Sequence, residues 1–156
     1  MTNKIVLDTN VCLDLFVFHD PRWTPLLTLL QSGVLTAVCR EDCRDEWLAV
    51  LHYPHLPIRD ENRAQIVASF DQVITVEQPA SKNIKLPVCT DKDDQKFLEI
   101  CRDSDAQFLV TKDKALLKLA RKTRALNLFI IETPEQFQAR LVANPQGFPI
   151  NSLNPQ

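Results

Sequence analysis

At 156 residues, with 45% hydrophobic and 24% charged residues, the chain has the size and composition of one ordinary globular domain, which excludes disordered, collagen-like and coiled-coil architectures. No apolar run approaches the roughly 20 residues that span a bilayer, and the first residues carry no signal-peptide core, so a cytoplasmic protein with no membrane partner is expected. A net charge of −2 argues against a broadly basic nucleic-acid binder.

Lys4, Ile5, Val6 and Leu7 form a short β-branched run that ends on Asp8, after which Val11, Leu15 and Phe18 recur at helical spacing. This predicts strand, turn and helix. Leu26, Leu27, Leu29 and Leu30 predict a second helix over residues 21–32, closed by Gly33, with a strand over 34–39. Cys43, Trp47, Val50 and Leu51 share one face of a helix over 41–51. Ile66, Val67 and Phe70 mark another helix over 60–70, followed by a strand over 72–76. Residues 78–89 hold Pro79 and Pro87 and little periodicity, which predicts a connecting loop. The alternation then resumes with a helix over 94–102, a strand over 107–111, a helix over 114–125, a strand over 128–131 and a helix over 134–142. Five strands alternating with helices imply βαβ units: a three-layer α/β/α fold around a central parallel sheet. A domain over residues 1–142 and a flexible tail over 143–156, rich in Pro and Asn, are expected.

Two glycines leave no room for a Gly-x-Gly-x-x-Gly fingerprint or a P-loop. Cys12, Cys39, Cys43, Cys89 and Cys101 form an odd set without a Cys-x-x-Cys pair and read as reduced, structural thiols. His19, His52 and His55 show no zinc-ligand spacing.

The acids carry the chemistry. In open parallel sheets the ligand site lies beyond the carboxyl ends of the strands. Asp8 directly follows the first strand, Asp113 follows the strand containing Phe108 and Leu109, and Asp91, Asp93 and Asp94 open the helix before that strand. Glu46 lies three residues after Cys43 and four before Val50, on the helical stripe facing the sheet, where a carboxylate is costly unless a cation or donor meets it. Several carboxylates converging with no matching Arg or Lys would raise one another's pKa and repel, whereas Mg²⁺ or Mn²⁺, which prefer oxygen ligands, would hold them together. Taken singly, Asp8 and Asp113 also fit helix N-caps, and Asp91 to Asp94 fit a capping box; the coincidence of four signals favours a site. With these six carboxylates set aside, 14 acids stand against 18 bases, so the remaining surface is basic enough to meet phosphate. Lys114, Lys118, Arg121 and Lys122 recur at helical spacing just after Asp113 and are candidates for phosphate contact; a solvated charged face is the simpler alternative.

These stretches together resemble the ordered motifs of PIN domains: Val6 to Asn10 before an apolar helix, Glu46 ahead of Val50 and Leu51, Asp91 to Asp94 leading into Phe97 and Leu98, and Phe108 to Asp113. The similarity spans about residues 5–131 and leans toward bacterial toxins of toxin–antitoxin systems. The resemblance implies an endonuclease of single-stranded RNA, with Mg²⁺ or Mn²⁺ held by Asp8, Glu46, Asp94 and Asp113 and with Asn10 and Thr111 as supporting polar groups. It also implies a cognate antitoxin and a second copy of the chain as partners. The third ligand position is open among Asp91, Asp93 and Asp94. Asp94 shares a helical face with Phe97, Leu98 and Cys101 and is expected to point inward, Asp93 to face solvent or the flank of the site, and Asp91 to cap the helix or join the ligands.

Competing readings are a non-catalytic RNA- or partner-binding module, an aspartyl-phosphate phosphatase and a receiver-type phosphoacceptor. The first would lack one of the acids. The second needs an acid two residues after the nucleophile, where Asn10 stands. The third would place an acidic pair ahead of Glu46 rather than in its stead.

Overall fold

The computed structural model describes residues 3–143. In chain order the elements are β1 (Lys4–Leu7), α1 (Thr9–Phe16), a 3-10 turn (Pro21–Trp23), α2 (Thr24–Ser32), β2 (Thr36–Cys39), α3 (Glu41–Val50) and α4 (Asp60–Val73). They continue with β3 (Ile74–Val76), a second 3-10 turn (Lys92–Asp94), α5 (Gln95–Ser104), β4 (Phe108–Val110), α6 (Lys114–Leu117), α7 (Ala120–Ala125), β5 (Ile130–Glu132) and α8 (Pro134–Ala143).

The five strands form one sheet in the order β3-β2-β1-β4-β5, and every neighbouring pair is parallel. Ile5 of β1 sits opposite Ala37 of β2 on one side and Phe108 of β4 on the other, which makes β1 the central strand. Its apolar residues Ile5, Val6 and Leu7 are all buried, as expected of a parallel strand covered by helices on both faces. α5 packs across β1, β2 and β4, with Phe97, Leu98, Ile100 and Cys101 buried. α8 packs on β5, and its Phe137 ring meets Phe108 edge-on at 5.0 Å.

A second apolar node ties three helices together. Trp47 of α3 stacks on Phe70 of α4 at 5.0 Å, and Phe16 of α1 stands edge-on to both rings, at 6.1 and 5.7 Å. Aromatic groups packed in this way bury large areas and fix orientation, so the rotation of α3, and with it the direction of Glu46, is set by this cluster.

Several element bounds differ from the periodicity. The helix expected over 21–32 begins as a 3-10 turn capped by the Asp20 side chain, which accepts from the Arg22 backbone N–H at 3.0 Å. Gly33, at φ 83°, closes α2 in the left-handed conformation that glycine adopts without steric cost. α4 runs on to Val73, so the following strand is only Ile74–Val76. The helix expected over 114–125 is broken into α6 and α7, and Leu119 N–H closes on Leu116 C=O across the junction. Such a tightened turn keeps apolar residues on their side of the axis, which is why the pattern reads as continuous. Ala143, expected in the tail, ends α8; residues 144–156 lie outside the described residues.

All five cysteines are buried and unpaired. No helix among the described residues is long and apolar enough to cross a membrane.

Candidate metal centre

From β1 the sheet grows toward β2 and β3 on one side and toward β4 and β5 on the other, so connections diverge between β1 and β4. This is the switch point at which parallel sheets open a crevice beyond their carboxyl ends. Asp8 stands at that end of β1, where its N–H donates to Val110 C=O at 3.0 Å. Thr111 stands beside it at the end of β4. The Thr111 hydroxyl is wholly buried; it donates to Asp8 Oδ2 at 2.6 Å and accepts from the Asp113 N–H at 2.9 Å. One hydroxyl thus locks two neighbouring strand ends together.

Asp113 caps α6 by accepting from the Ala115 N–H at 2.8 Å. Lys112, between Thr111 and Asp113, pairs with the buried Asp14 of α1 at 2.8 Å and anchors the turn from its other side. Opposite, Asp91 Oδ1 accepts from the Asp93 N–H at 3.0 Å and caps the 3-10 turn that ends on Asp94. Gln95 pins that turn to the incoming loop, donating to Pro87 C=O at 3.1 Å and accepting from the Cys89 N–H at 2.7 Å.

The result is a triad. Asp91, Asp94 and Asp113 each present a carboxylate oxygen, and these oxygens lie within 4.8 Å of one another. Asp94 and Asp113 are half-buried, whereas Asp91 is exposed. Asp93 is exposed and outside this group. Asp94 is the last residue of the 3-10 turn rather than the first of the α-helix, whose buried face begins at Phe97 and Leu98.

Glu46 is near these acids but is otherwise engaged, and here the expectation of an acidic site without a compensating base is corrected. Lys96 of α5 sets its ammonium 2.7 Å from Glu46 Oε1, and its side chain is only 15% exposed. The Thr9 hydroxyl donates to the other oxygen, Glu46 Oε2. Neither partner was among the expected site residues. Lys96 precedes the buried Phe97 and reads in sequence as a surface lysine, and Thr9 is masked by its neighbour Asn10, which is exposed.

The electrostatics follow from this crowding. Burial pushes the Asp8 carboxyl above its ordinary value, hydrogen bonds from Thr111 and the Thr9 backbone pull against it, and Asp113 and Glu46 push with it. Asp94 is pushed up to about 8, first by burial, then by its hydrogen bond with Asp113 and by the charges of Asp113, Asp8 and Asp91. Asp113 moves the opposite way, chiefly because Asp94 donates to it. The two carboxyls therefore titrate as a pair, with proton binding favoured at Asp94 and disfavoured at Asp113. For Lys96, burial favours the neutral amine, but the Glu46 carboxylate more than offsets this and holds it charged.

An all-oxygen group of three mutually repelling carboxylates suits a hard divalent cation. Lys114, Lys118, Arg121 and Lys122 are all exposed on α6, α7 and the turn between them, downstream of Asp113.

Fold and site define a parallel α/β protein with a candidate metal centre of aspartates at its topological switch point. The chain matches the PIN-domain family over residues 4–115 and belongs to that family. It is 27% identical over 143 residues to an uncharacterized protein, MJ1680, of Methanocaldococcus jannaschii, with 86% of this chain and 88% of that protein covered. Its fold is similar to that of a chain in the crystal structure of VapBC2 from Rickettsia felis bound to a DNA fragment from their promoter. That match has a TM-score of 0.57 at 14% identity and covers 83% of this chain and 98% of the other.

Proposed function

We propose that the chain is a metal-dependent endoribonuclease that cleaves single-stranded RNA in the cytoplasm and serves as the toxin of a toxin–antitoxin pair. The observation that carries the reading is the triad Asp91, Asp94 and Asp113, joined to Asp8 through the buried Thr111 at the switch point of a PIN-domain sheet. Family membership and likeness of fold to a VapBC2 chain support the same assignment, and an antitoxin is the partner that fits it. Asp94 and Asp113 would hold Mg²⁺ or Mn²⁺, with Asp91 and Asp8 completing the oxygen set. Bound there, the ion would lower the pKa of a water and stabilise the leaving oxygen of a phosphodiester.

The protein's own groups do the positioning. Thr111 orients Asp8 by a direct hydrogen bond, and the Asp113 N-cap fixes that carboxylate against the start of α6. Lys114, Lys118, Arg121 and Lys122 would bind phosphates flanking the one attacked. Cleavage of single-stranded RNA should occur with Mn²⁺ or Mg²⁺ and stop in EDTA. Asp8→Asn keeps an acceptor for Thr111 and should fold yet lose cleavage. Equal cleavage by wild type and Asp8→Asn would sink the reading and favour a non-catalytic RNA- or partner-binding module.

A further inference from the structure

The ammonium of Lys96 stands inside the acidic site, on an acid that the family resemblance would give to a metal. Both oxygens of Glu46 are taken, Oε1 by Lys96 at 2.7 Å and Oε2 by the Thr9 hydroxyl. Lys96 is held from several sides. Its ammonium also donates to the Asp93 carbonyl and lies 5.2 Å from the centre of the Phe97 ring, and the side chain is largely buried. A lysine on an open surface gains little from an ion pair because ordering its long side chain offsets the Coulomb attraction. Here the side chain is already ordered by packing, so the pair persists.

We propose that Lys96 is a built-in cation that takes the place of a second metal ion, so that the site binds a single divalent ion at Asp91, Asp94 and Asp113, with Asp8 completing its oxygen set, and Glu46 is not a ligand. The inference rests on the metal-dependent reading above and goes beyond it by fixing the number of ions and the role of Glu46. Two independent features carry it. The triad oxygens converge within 4.8 Å of one another without Glu46, so one ion can be held with no contribution from α3. Any dication bound to Glu46 would meet the Lys96 ammonium at contact distance, where like charges repel strongly in a partly buried site. The lysine must therefore leave before Glu46 can bind metal. Its carbonyl partner and its packing on Phe97 oppose that movement.

Lys96 is then a positioning residue. Its fixed charge neutralises Glu46, and Glu46 in turn holds the Thr9 hydroxyl at the start of α1, one residue from Asp8. A divalent ion could do the same only while bound, whereas the lysine does it in the metal-free protein. The arrangement keeps the floor of the site organised before the catalytic ion arrives.

The test counts ions on the full chain with Mn²⁺ as the probe, by isothermal titration and by electron paramagnetic resonance of free Mn²⁺. Wild type should bind one Mn²⁺ per chain. Glu46→Gln should also bind one, with an affinity lowered by no more than the roughly 10- to 100-fold that loss of a group supporting a ligand brings. Lys96→Met frees Glu46 and should bind two, and the double variant Lys96→Met with Glu46→Gln should return to one. Two ions on wild type, or loss of the ion in Glu46→Gln, would overturn the inference while leaving the metal-dependent reading intact. A single ion on folded Lys96→Met would also overturn it. If Lys96→Met does not fold, the wild-type count and Glu46→Gln decide. No Mn²⁺ on wild type would remove the metal-dependent reading and this inference with it.

Discussion

Replacing Thr111 with valine keeps its shape and removes only the hydroxyl, which isolates the link between the two strand ends. The hydroxyl makes two hydrogen bonds at a position of 0% exposure, one to the Asp8 carboxylate at 2.6 Å and one from the Asp113 N–H at 2.9 Å. A bond to a charged acceptor contributes about 1.5–3 kcal/mol, and a partly buried N–H left without an acceptor costs about 1 kcal/mol or more. The sum is about 3 kcal/mol, a large share of the 5–15 kcal/mol that holds a typical domain folded. For a chain of this length that corresponds to a fall in Tm of about 6–12 °C. Thr111→Ser retains both bonds and gives up one buried methyl, about 1 kcal/mol, or about 2–4 °C. The comparison is made by calorimetry in EDTA, so that no metal contributes. If Thr111→Ser proves less stable than Thr111→Val, the methyl and not the hydroxyl holds this junction, and the account of how Asp8 is oriented fails.

Because the folded pKa of Asp94 lies near 8, above its unfolded value of 3.8, the bound proton stabilises the metal-free protein, and that contribution is lost as pH rises from about 4 through 8. Asp8 acts in the same direction. The Tm of the metal-free protein should therefore fall between pH 5 and pH 8, and a flat profile over that window would contradict the raised Asp94 pKa. The same proton must leave when an ion binds, so Mn²⁺ affinity should rise by up to about tenfold per pH unit toward pH 8 and then level off. Titrations in buffers of different ionisation enthalpy would show the released proton. Asp94→Asn should weaken Mn²⁺ binding severalfold or more while Asp93→Asn changes it little; the reverse ranking would put the third ligand on the exposed residue. Charge removal at Lys118 and Arg121 should weaken RNA binding and flatten its dependence on salt, as loss of phosphate contacts requires, and an unchanged slope would leave these residues a solvated face.

The parallel sheet and its flanking helices were legible in the sequence because each element carries its own signal. Ile5, Val6 and Leu7 form a buried β-branched run, Gly33 closes a helix at positive φ, and apolar spacing marks the buried face of α5. Asp8 and Asp113 stood out because they lie where strands turn into helices, and the run from Asp91 to Asp94 because it opens a helix. Element bounds were less legible where two geometries share one periodicity. The break between α6 and α7 is the example, since a tightened turn leaves the apolar pattern unchanged.

What only the tertiary structure decided is which groups meet. Thr111 and Asp8 are 103 residues apart in the chain and join because β4 lies beside β1. Lys96 and Glu46 are 50 apart and join because α3 packs beside α5 in the assembled core. Sequence alone determines which residue types sit on a given face of an element, because that depends on neighbours three or four positions away. It does not determine how two such faces are brought into register, because that depends on the packing of the whole core. The acids were therefore visible as candidates in the chain, while the lysine that neutralises one of them emerged only when the helices were assembled.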